Sequence, residues 1–214
     1  MSETRHDLSR VQLMVFGSCS VAVLGLPHIL LWLKDRLLLQ RIRVVLTPMA
    51  TRLVTVDSIK RVAGCEVYVD WDDLPDQARS HVSLADWAQV AIVLPATAGL
   101  VGKLANGIAD NLATSTLMAL SCPAIVVPST NATTWAKPAV RRNVQQLRDD
   151  GFTVVEPEEG LAVASETTER GSMGDYRPAL LRELVRAAEG APQAPPVNNE
   201  ENEEIEENEQ GGLT

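Results

Sequence analysis

Cysteine is scarce in this sequence, and the pattern of the few cysteines excludes two kinds of stabilised fold. The chain of 214 residues contains Cys19, Cys65 and Cys122, an odd number without a CxxC pair. A disulfide framework needs an even set of cysteines, and a structural zinc site needs closely spaced ligands. We therefore predict free thiols, no metal site and a protein that works in a reducing cytoplasm.

A long apolar segment is also missing. The most apolar run, from Val21 to Leu33, contains Pro27 and His28 and then meets the charged residues 34–36. A membrane-spanning helix needs about 20 consecutive apolar residues. The N-terminus is polar and charged, unlike the start of a secretory signal. The sequence predicts no membrane segment.

Basic residues are absent from the C-terminal tail, which carries most of the net charge of −9. Of the 28 acidic residues, seven are glutamates within residues 200–214, so 21 acidic and 19 basic residues remain before them. This nearly neutral body excludes a nucleic-acid binder, which needs a basic surface. The Pro, Asn and Glu bias predicts a disordered acidic tail over 190–214 and a single domain over 1–189.

Short apolar runs alternate with helical patterns along the body of the chain. The runs that are typical of buried strands are residues 11–16, 42–47, 66–69, 88–94, 124–127 and 152–155. This alternation predicts an α/β fold, a three-layer αβα Rossmann-like or flavodoxin-like parallel sheet with helices on both faces. Residues 158–175 have the composition of a long loop, and Tyr176–Glu189 that of a final helix.

The first predicted helix is apolar on more than one face. Ser20 is its expected N-cap, and Leu31 and Trp32 lie opposite the face that repeats Leu26, Leu30 and Leu33. A helix of this kind needs cover beyond its own sheet, which indicates a subunit interface.

Small and hydroxyl-bearing residues follow three of the predicted strands. The segments are Gly17-Ser18-Cys19-Ser20, Thr47-Pro48 and Pro95-Ala96-Thr97-Ala98. At the carboxyl edge of a parallel sheet, helix N-termini present free N–H groups to ligands. The spacing matches neither a Rossmann dinucleotide turn nor a Walker loop. Taken alone, each segment is more typical of a plain turn with a helix cap.

Two blocks between residues 80 and 157 carry a specific resemblance. The first comprises Ser80-His81-Val82-Ser83-Leu84-Ala85-Asp86-Trp87, Pro95-Ala96-Thr97-Ala98 and Gly107-Ile108-Ala109-Asp110-Asn111-Leu112. The second comprises Pro128-Ser129-Thr130-Asn131 with Trp135, Pro138 and Arg142-Asn143. In order and spacing they resemble the homo-oligomeric flavin-containing cysteine decarboxylases. That family acts on phosphopantothenoylcysteine in coenzyme A synthesis or on the C-terminal cysteine of ribosomal precursor peptides.

The resemblance implies a cofactor, an assembly and a set of site residues. The cofactor would be FMN, or else FAD, and the assembly a trimer that builds a dodecamer of four trimers. The flavin site would be lined by Gly17, Ser18, Ser20, Thr47, Pro95, Ala96, Thr97, Ala98, Asp110 and Asn111. His81 matches the essential histidine of the family, and Asn131 matches the asparagine that holds the substrate carboxylate. Outside such a motif, a lone histidine before a helix is more often a cap or a packing residue.

The chemistry of the family explains these residue types. The flavin oxidises the Cβ–S unit of cysteine to a thioaldehyde, whose thiocarbonyl then accepts the electrons left by CO2. Histidine titrates near neutral pH and is suited to take the thiol proton. A neutral amide such as that of Asn131 can bind a carboxylate without a positive charge, which would stabilise the carboxylate and oppose its departure as CO2.

Two departures from the family pattern bear on the substrate. The coenzyme A enzymes carry a reducing cysteine where this chain has Val163, and most members carry an asparagine where it has Gly99. We therefore predict oxidative decarboxylation of the C-terminal cysteine of a ribosomal precursor peptide to an aminoenethiol, on the way to an aminovinyl-cysteine ring. The loop 158–175 would clamp the peptide.

Two alternatives stay open. One is the phosphopantothenoylcysteine decarboxylase of coenzyme A synthesis. The other is a non-catalytic regulatory binding protein of the same fold, since some relatives of that kind bear acidic tails. Deletion of the tail separates the classes, because an enzyme should survive it and a binder that works through the tail should not.

Overall fold

Six parallel strands form the central sheet of this computed structural model, which describes residues 5–74, 80–157, 159–162, 167–170 and 175–190. They are β1 Gln12–Gly17, β2 Arg41–Leu46, β3 Glu66–Tyr68, β4 Val90–Ala96, β5 Ala124–Pro128 and β6 Thr153–Val154. Their order in the sheet, β3-β2-β1-β4-β5-β6, is that of the Rossmann fold. Each predicted strand is present, and the predicted three-layer α/β fold is confirmed.

Helices cover both faces of the sheet. The α-helices are α1 Leu26–Leu37, α2 Val56–Ala63, α3 His81–Trp87, α4 Ala98–Ala105, α5 Leu112–Met118, α6 Ala132–Trp135, α7 Pro138–Asp149 and α8 Arg177–Glu189. Short 3-10 helices follow β1, β2 and β3 at Val21–Gly25, Pro48–Arg52 and Trp71–Asp73. Within the described residues, no helix has the length and apolar character needed to cross a bilayer.

Burial on both faces explains why the strands have continuous apolar sequences. In β1, Leu13 and Val15 pack in the core beneath α1, α2 and α8, whereas Met14 and Phe16 pack in the core beneath α3, α4, α5 and α7. All four residues are at most 1% exposed. Because side chains alternate between the faces of a strand, a strand covered on both sides needs an apolar residue at every position.

The start of α1 differs from the prediction. The Oγ of Ser20 accepts the N–H of Ala22 at 3.4 Å and caps the 3-10 helix Val21–Gly25, and α1 begins only at Leu26. In an uninterrupted α-helix the N–H of residue 27 would bond to the carbonyl of residue 23. Proline has no N–H, so Pro27 fits the first turn of a new helix instead.

The second apolar face of α1 is partly covered within the chain. Trp32 packs against the core, and the guanidinium carbon of Arg177 on α8 lies 5.9 Å from the centre of its ring. Leu31 is 49% exposed. The predicted subunit contact on this face therefore depends on Leu31 and stays a prediction.

The segment 158–175 contains regular structure, contrary to the prediction of a loop. Its described residues include two antiparallel strands, β7 Glu159–Ala162 and β8 Thr167–Arg170, which pair Glu159 with Arg170. Pairing between two strands is made by the backbone and needs no apolar periodicity, so composition did not indicate it. Val163 and the acidic tail from residue 191 onward lie outside the described residues.

Candidate active site

The candidate site lies at the carboxyl edge of the sheet, between β1 and β4. The two strands are neighbours, but the chain continues from β1 to β2 on one side and from β4 to β5 on the other. In an open parallel sheet such a switch point creates a crevice in which ligands bind. The predicted turns after β1 and β4 meet there, because the N–H of Ser18 donates to the carbonyl of Pro95 at 3.2 Å.

Ser18 holds the two turns together. It is 2% exposed, and its Oγ donates to the carbonyl of Pro95 at 2.7 Å and accepts the N–H of Thr97 at 3.0 Å. A hydroxyl has a single proton to donate, and this one is already used inside the protein. Ser18 therefore shapes the crevice and has no proton left for a ligand.

Gly17 allows β1 and the following turn to pack closely. A Cβ on this residue would lie 2.7 Å from Cδ2 of Leu46 and 3.2 Å from Cδ2 of Leu26. An alanine here would therefore force the fully buried side chain of Leu46 to shift, which a packed core resists. Thr47 lies at the same edge, since its N–H donates to the carbonyl of Gly17 at 2.9 Å.

Thr97 begins α4 as its N-cap. Its Oγ1 accepts the N–H of Leu100 at 3.2 Å. The N–H groups of Ala98 and Gly99 precede the first intrahelical bond and lie at the positive end of the helix beside the crevice. Such a helix start is a favourable place for a phosphate or another anion.

The end of β5 contributes residues that sequence reasoning missed. The N–H of Ser129 donates to the carbonyl of Ala96 at 2.8 Å, and its Oγ lies 2.8 Å from the Oγ of Ser20. The Oγ1 of Thr130 is buried without a hydrogen-bond partner among the described residues. A buried hydroxyl of this kind calls for a polar group from outside the protein. The sequence did contain a signal for them. Two hydroxyl residues directly follow Pro128 at the end of a strand, as hydroxyl residues do in the predicted turns after β1 and β4.

Asn131 follows as the N-cap of α6. Its Oδ1 accepts the N–H of Thr134 at 2.7 Å, and the residue is exposed. This bond assigns the oxygen of the amide to the helix, so the NH2 group faces away from it as a donor. A neutral donor in this position suits a carboxylate, and the assignment to substrate binding stays a prediction.

His81 is the first residue of α3, which returns the chain from β3 to the start of β4. Its side chain therefore starts at the same carboxyl edge as Asn131. The residue is half-buried, and its imidazole packs edge to face against Trp71, with ring centres 5.4 Å apart and planes at 86°. Among the described residues, no hydrogen bond engages either ring nitrogen of His81. Both nitrogens remain available for chemistry.

Asp110 and Asn111 belong to a separate cluster between α4 and α5. Lys103 forms an ion pair with Asp110 at 2.6 Å, and Asn111 caps α5 by accepting the N–H of Thr114 at 3.1 Å. The hydrogen bond from Lys103 is the main cause that lowers the pKa of the Asp110 carboxyl. In the described part of the chain, no hydrogen bond connects the pair to the turns after β1, β4 or β5. Their contact with a flavin stays a prediction.

Gly99 leaves open space at the start of α4. It does not adopt a positive φ, and a Cβ there would have no neighbour closer than the Oγ1 of Thr97 at 4.0 Å. Neither the backbone nor the packing requires glycine at this position. The space is therefore available to a ligand.

A comparison with family models decides the family. The model described as Flavoprotein matches residues 1–186. The chain belongs to the flavoprotein family. In this flavoprotein the predicted turns after β1 and β4 lie together at the switch point of the sheet.

Two curated relatives differ in how much of their length the flavoprotein spans. The mersacidin decarboxylase of Bacillus sp. (strain HIL-Y85/54728) is 35% identical over 70% of this chain and 75% of its own length. The coenzyme A biosynthesis bifunctional protein CoaBC of Bacillus subtilis is 41% identical over 69% of this chain. The chain spans only 35% of that bifunctional protein.

A solved structure extends the likeness to the whole fold. The crystal structure of the FMN-dependent cysteine decarboxylase SpaF is 40% identical to the flavoprotein, with a TM-score of 0.76, and the match covers 85% of this chain and 99% of SpaF. The resemblance to flavin-containing cysteine decarboxylases, drawn from residues 80–157, is thereby confirmed.

Proposed function

We propose that this flavoprotein binds FMN and decarboxylates oxidatively the C-terminal cysteine of a ribosomal precursor peptide. The product is an aminoenethiol that goes on to an aminovinyl-cysteine ring. The observation that carries the proposal is that His81 and Asn131 lie at helix starts on the carboxyl edge of the sheet, each with a polar group that no described residue engages. The proposal includes a cytoplasmic homo-oligomer, a trimer that assembles into a dodecamer.

The crevice fits the polar end of FMN. The Ser20 and Ser129 hydroxyls lie 2.8 Å apart and share one hydrogen bond, so one of their two protons remains for a ligand. The buried Oγ1 of Thr130 has no partner in the described chain, and α4 adds free N–H groups at its start. Such neutral donors suit a phosphate. Bound FMN would supply the two-electron oxidation that cysteine itself cannot perform.

His81 would act as the base in this reaction. The thiol of the substrate cysteine must lose its proton before its Cβ–S unit is oxidised, and an imidazole accepts a proton at neutral pH. Both ring nitrogens of His81 are unengaged in the described part of the chain, so either can face the thiol.

Asn131 would hold the carboxylate that leaves as CO2. Its NH2 group can donate a hydrogen bond to a carboxylate oxygen while its Oδ1 remains on the backbone of α6. Because the amide is neutral, it orients the carboxylate with less stabilisation of the negative charge than a lysine or arginine would provide.

The missing thiol at position 163 favours an oxidised product. Two of the other cysteines, Cys65 and Cys122, are poor substitutes, because they precede β3 and β5 and lie at the opposite, amino edge of the sheet, whereas Cys19 lies in the turn after β1 at the edge of the candidate site. Burial raises the pKa of Cys65 and raises that of Cys122 to about 11. Because Val163 offers no thiol at the position from which relatives of the coenzyme A type protonate the enethiol, we expect the reaction to end at the oxidised product.

Mass spectrometry tests this function. Purified protein with its bound flavin is incubated with synthetic peptides that end in cysteine, and with matched peptides that end in serine or in cysteine amide. We expect a loss of about 46 Da from the free-cysteine peptides alone, whereas simple decarboxylation removes about 44 Da. The proposal is wrong if these peptides stay unchanged while phosphopantothenoylcysteine releases CO2.

Phosphopantothenoylcysteine decarboxylation is the second candidate. The 41% identity to the bifunctional coenzyme A protein favours it. The absence of the reducing cysteine and the glycine at position 99 count against it. The same assay separates the two candidates.

A further inference from the structure

Trp71 lies on a turn that is held by a set of side-chain hydrogen bonds. The turn follows β3, and Oδ2 of Asp73 accepts the N–H groups of Val69 at 2.7 Å and Asp70 at 2.9 Å. Oδ1 of Asp70 accepts the N–H of Trp71 itself at 2.8 Å. The side chain of Asp70 also accepts the N–H of Asp73, and this reciprocal pair forms a capping box, which fixes the backbone from which the indole projects.

The indole of Trp71 is partly exposed, and it contacts the imidazole of His81. Trp71 is 44% exposed, and its ring centre lies 5.4 Å from that of His81 with the planes at 86°. Single exposed aromatic residues are common and do not by themselves indicate a functional role. Here the exposed ring stands on a rigid turn and is in an arrangement that aromatic pairs prefer, against one particular side chain.

The described residues give His81 none of the hydrogen bonds that usually orient a catalytic histidine. Such a histidine is ordinarily held by a hydrogen bond from one ring nitrogen to a carboxylate or a carbonyl. Within the described residues, neither nitrogen of His81 has such a partner, and its ring contact is with Trp71. An aromatic contact restricts rotation of the imidazole without using either nitrogen.

We infer that Trp71 is a positioning residue that sets the orientation of the His81 imidazole for proton transfer. The inference rests on the proposed function of His81 as the base. Trp71 does not touch the substrate in this role, and the proton moves between the substrate thiol and His81 alone. Loss of the indole therefore reduces the rate of the chemical step and leaves substrate binding in place.

The contact is tested first by NMR, without turnover. The chain has three histidines, His6, His28 and His81, so labelling at the imidazole Cε1 yields three signals, and His81→Asn identifies the third. We expect Trp71→Ala to shift the His81 signal, because the ring current of the indole is lost, and to leave the other two in place. An unchanged His81 signal overturns the inference.

Kinetics then separate positioning from substrate contact. With a peptide that ends in cysteine, Trp71→Ala should lower kcat about 10- to 100-fold with little change in KM, and Trp71→Phe should recover most of the rate. Val62→Ala, which trims another exposed apolar side chain on α2, is the control and should behave as wild type. A raised KM with unchanged kcat, or no rescue by phenylalanine, overturns the inference.

Failure of the proposed function is distinguishable from failure of this inference. If the wild-type protein leaves every cysteine peptide unchanged, the proposed function fails, and with it the role of His81 as base. The NMR comparison still decides whether Trp71 holds the imidazole, since it needs no substrate. If peptides are converted and Trp71→Ala keeps the wild-type rate, the inference alone fails.

Discussion

The turns after β1 and β4 differ from the helix starts at His81 and Asn131 in how fully their polar groups are engaged within the protein. Ser18 is buried and uses its hydroxyl both as donor and as acceptor, and Thr97 caps α4. Among the residues that the structure describes, His81 has an aromatic contact, and Asn131 uses only its amide oxygen in a hydrogen bond. The polar groups of the first region thus hold the turns together, and the second region retains the polar groups that we propose bind and deprotonate the substrate. Substitutions in the turns should therefore mainly lower stability, and substitutions of His81 and Asn131 should mainly lower the rate of peptide conversion.

Replacement of His81 by asparagine should have the largest effect. The variant loses the proton acceptor, so we expect the rate of peptide conversion to fall by about 10²- to 10⁴-fold. The flavin should stay bound, because the hydrogen bonds between the turns do not involve His81. Visible absorbance reports the flavin, and mass spectrometry reports the rate. His6→Asn is the matched control, and a fully active His81→Asn would show that the base is another residue.

Two substitutions of Asn131 separate its helix cap from its proposed contact with the substrate. In Asn131→Asp the carboxylate still accepts the N–H of Thr134, but the NH2 donor is replaced by a negative charge. We expect kcat/KM to fall about 10²-fold at an unchanged unfolding midpoint.

Asn131→Ala removes both groups and should also lower the free energy of unfolding by about 0.5–2 kcal/mol. Urea denaturation followed by fluorescence measures this loss. If Asn131→Asp converts the peptide as fast as wild type does, the proposal that Asn131 binds the substrate carboxylate is wrong.

Replacement of Ser18 by alanine should affect stability first. The part-buried N–H of Thr97 loses its acceptor and the carbonyl of Pro95 loses a buried donor, which costs about 1–3 kcal/mol of unfolding free energy. Weaker retention of flavin should accompany the loss, because the two turns separate. Ser20→Ala is the control, since Ser20 is partly exposed and water can replace its bonds. Equal stability of Ser18→Ala and Ser20→Ala would contradict the conclusion that the hydrogen bonds of Ser18 hold the two turns together.

Replacement of Gly99 by asparagine should have the smallest effect on stability. The space around a Cβ at this position is open, so we expect a change within about 0.5 kcal/mol. The ratio of kcat/KM for phosphopantothenoylcysteine to that for a cysteine peptide should rise. Gly17→Ala is the contrasting control and should be clearly destabilised, since its Cβ would lie 2.7 Å from Leu46. Marked destabilisation of Gly99→Asn would show that the space is not open.

The sequence predicted the strands and the turns of the site well, because both depend on local patterns. The apolar runs and the residues that end them identify β1, β4 and β5 without reference to any distant part of the chain. The strands at residues 159–162 and 167–170 were missed, since backbone pairing can proceed without an apolar pattern. The contact between Trp71 and His81 was also missed, because it joins side chains ten residues apart on two different elements, which no local pattern brings together.

The sequence alone determined the α/β architecture of this flavoprotein and the residues that end its strands, because hydrophobic periodicity and Gly or Pro positions act over a few residues. Only the tertiary structure decided which polar groups remain for a ligand. Ser18 and Thr97 are 79 residues apart, and they meet because β1 and β4 are neighbours in the sheet. Whether a hydroxyl finds a hydrogen-bond partner within the protein depends on such pairing of strands that are distant in sequence. That pairing forms only when the cores on both faces of the sheet are packed.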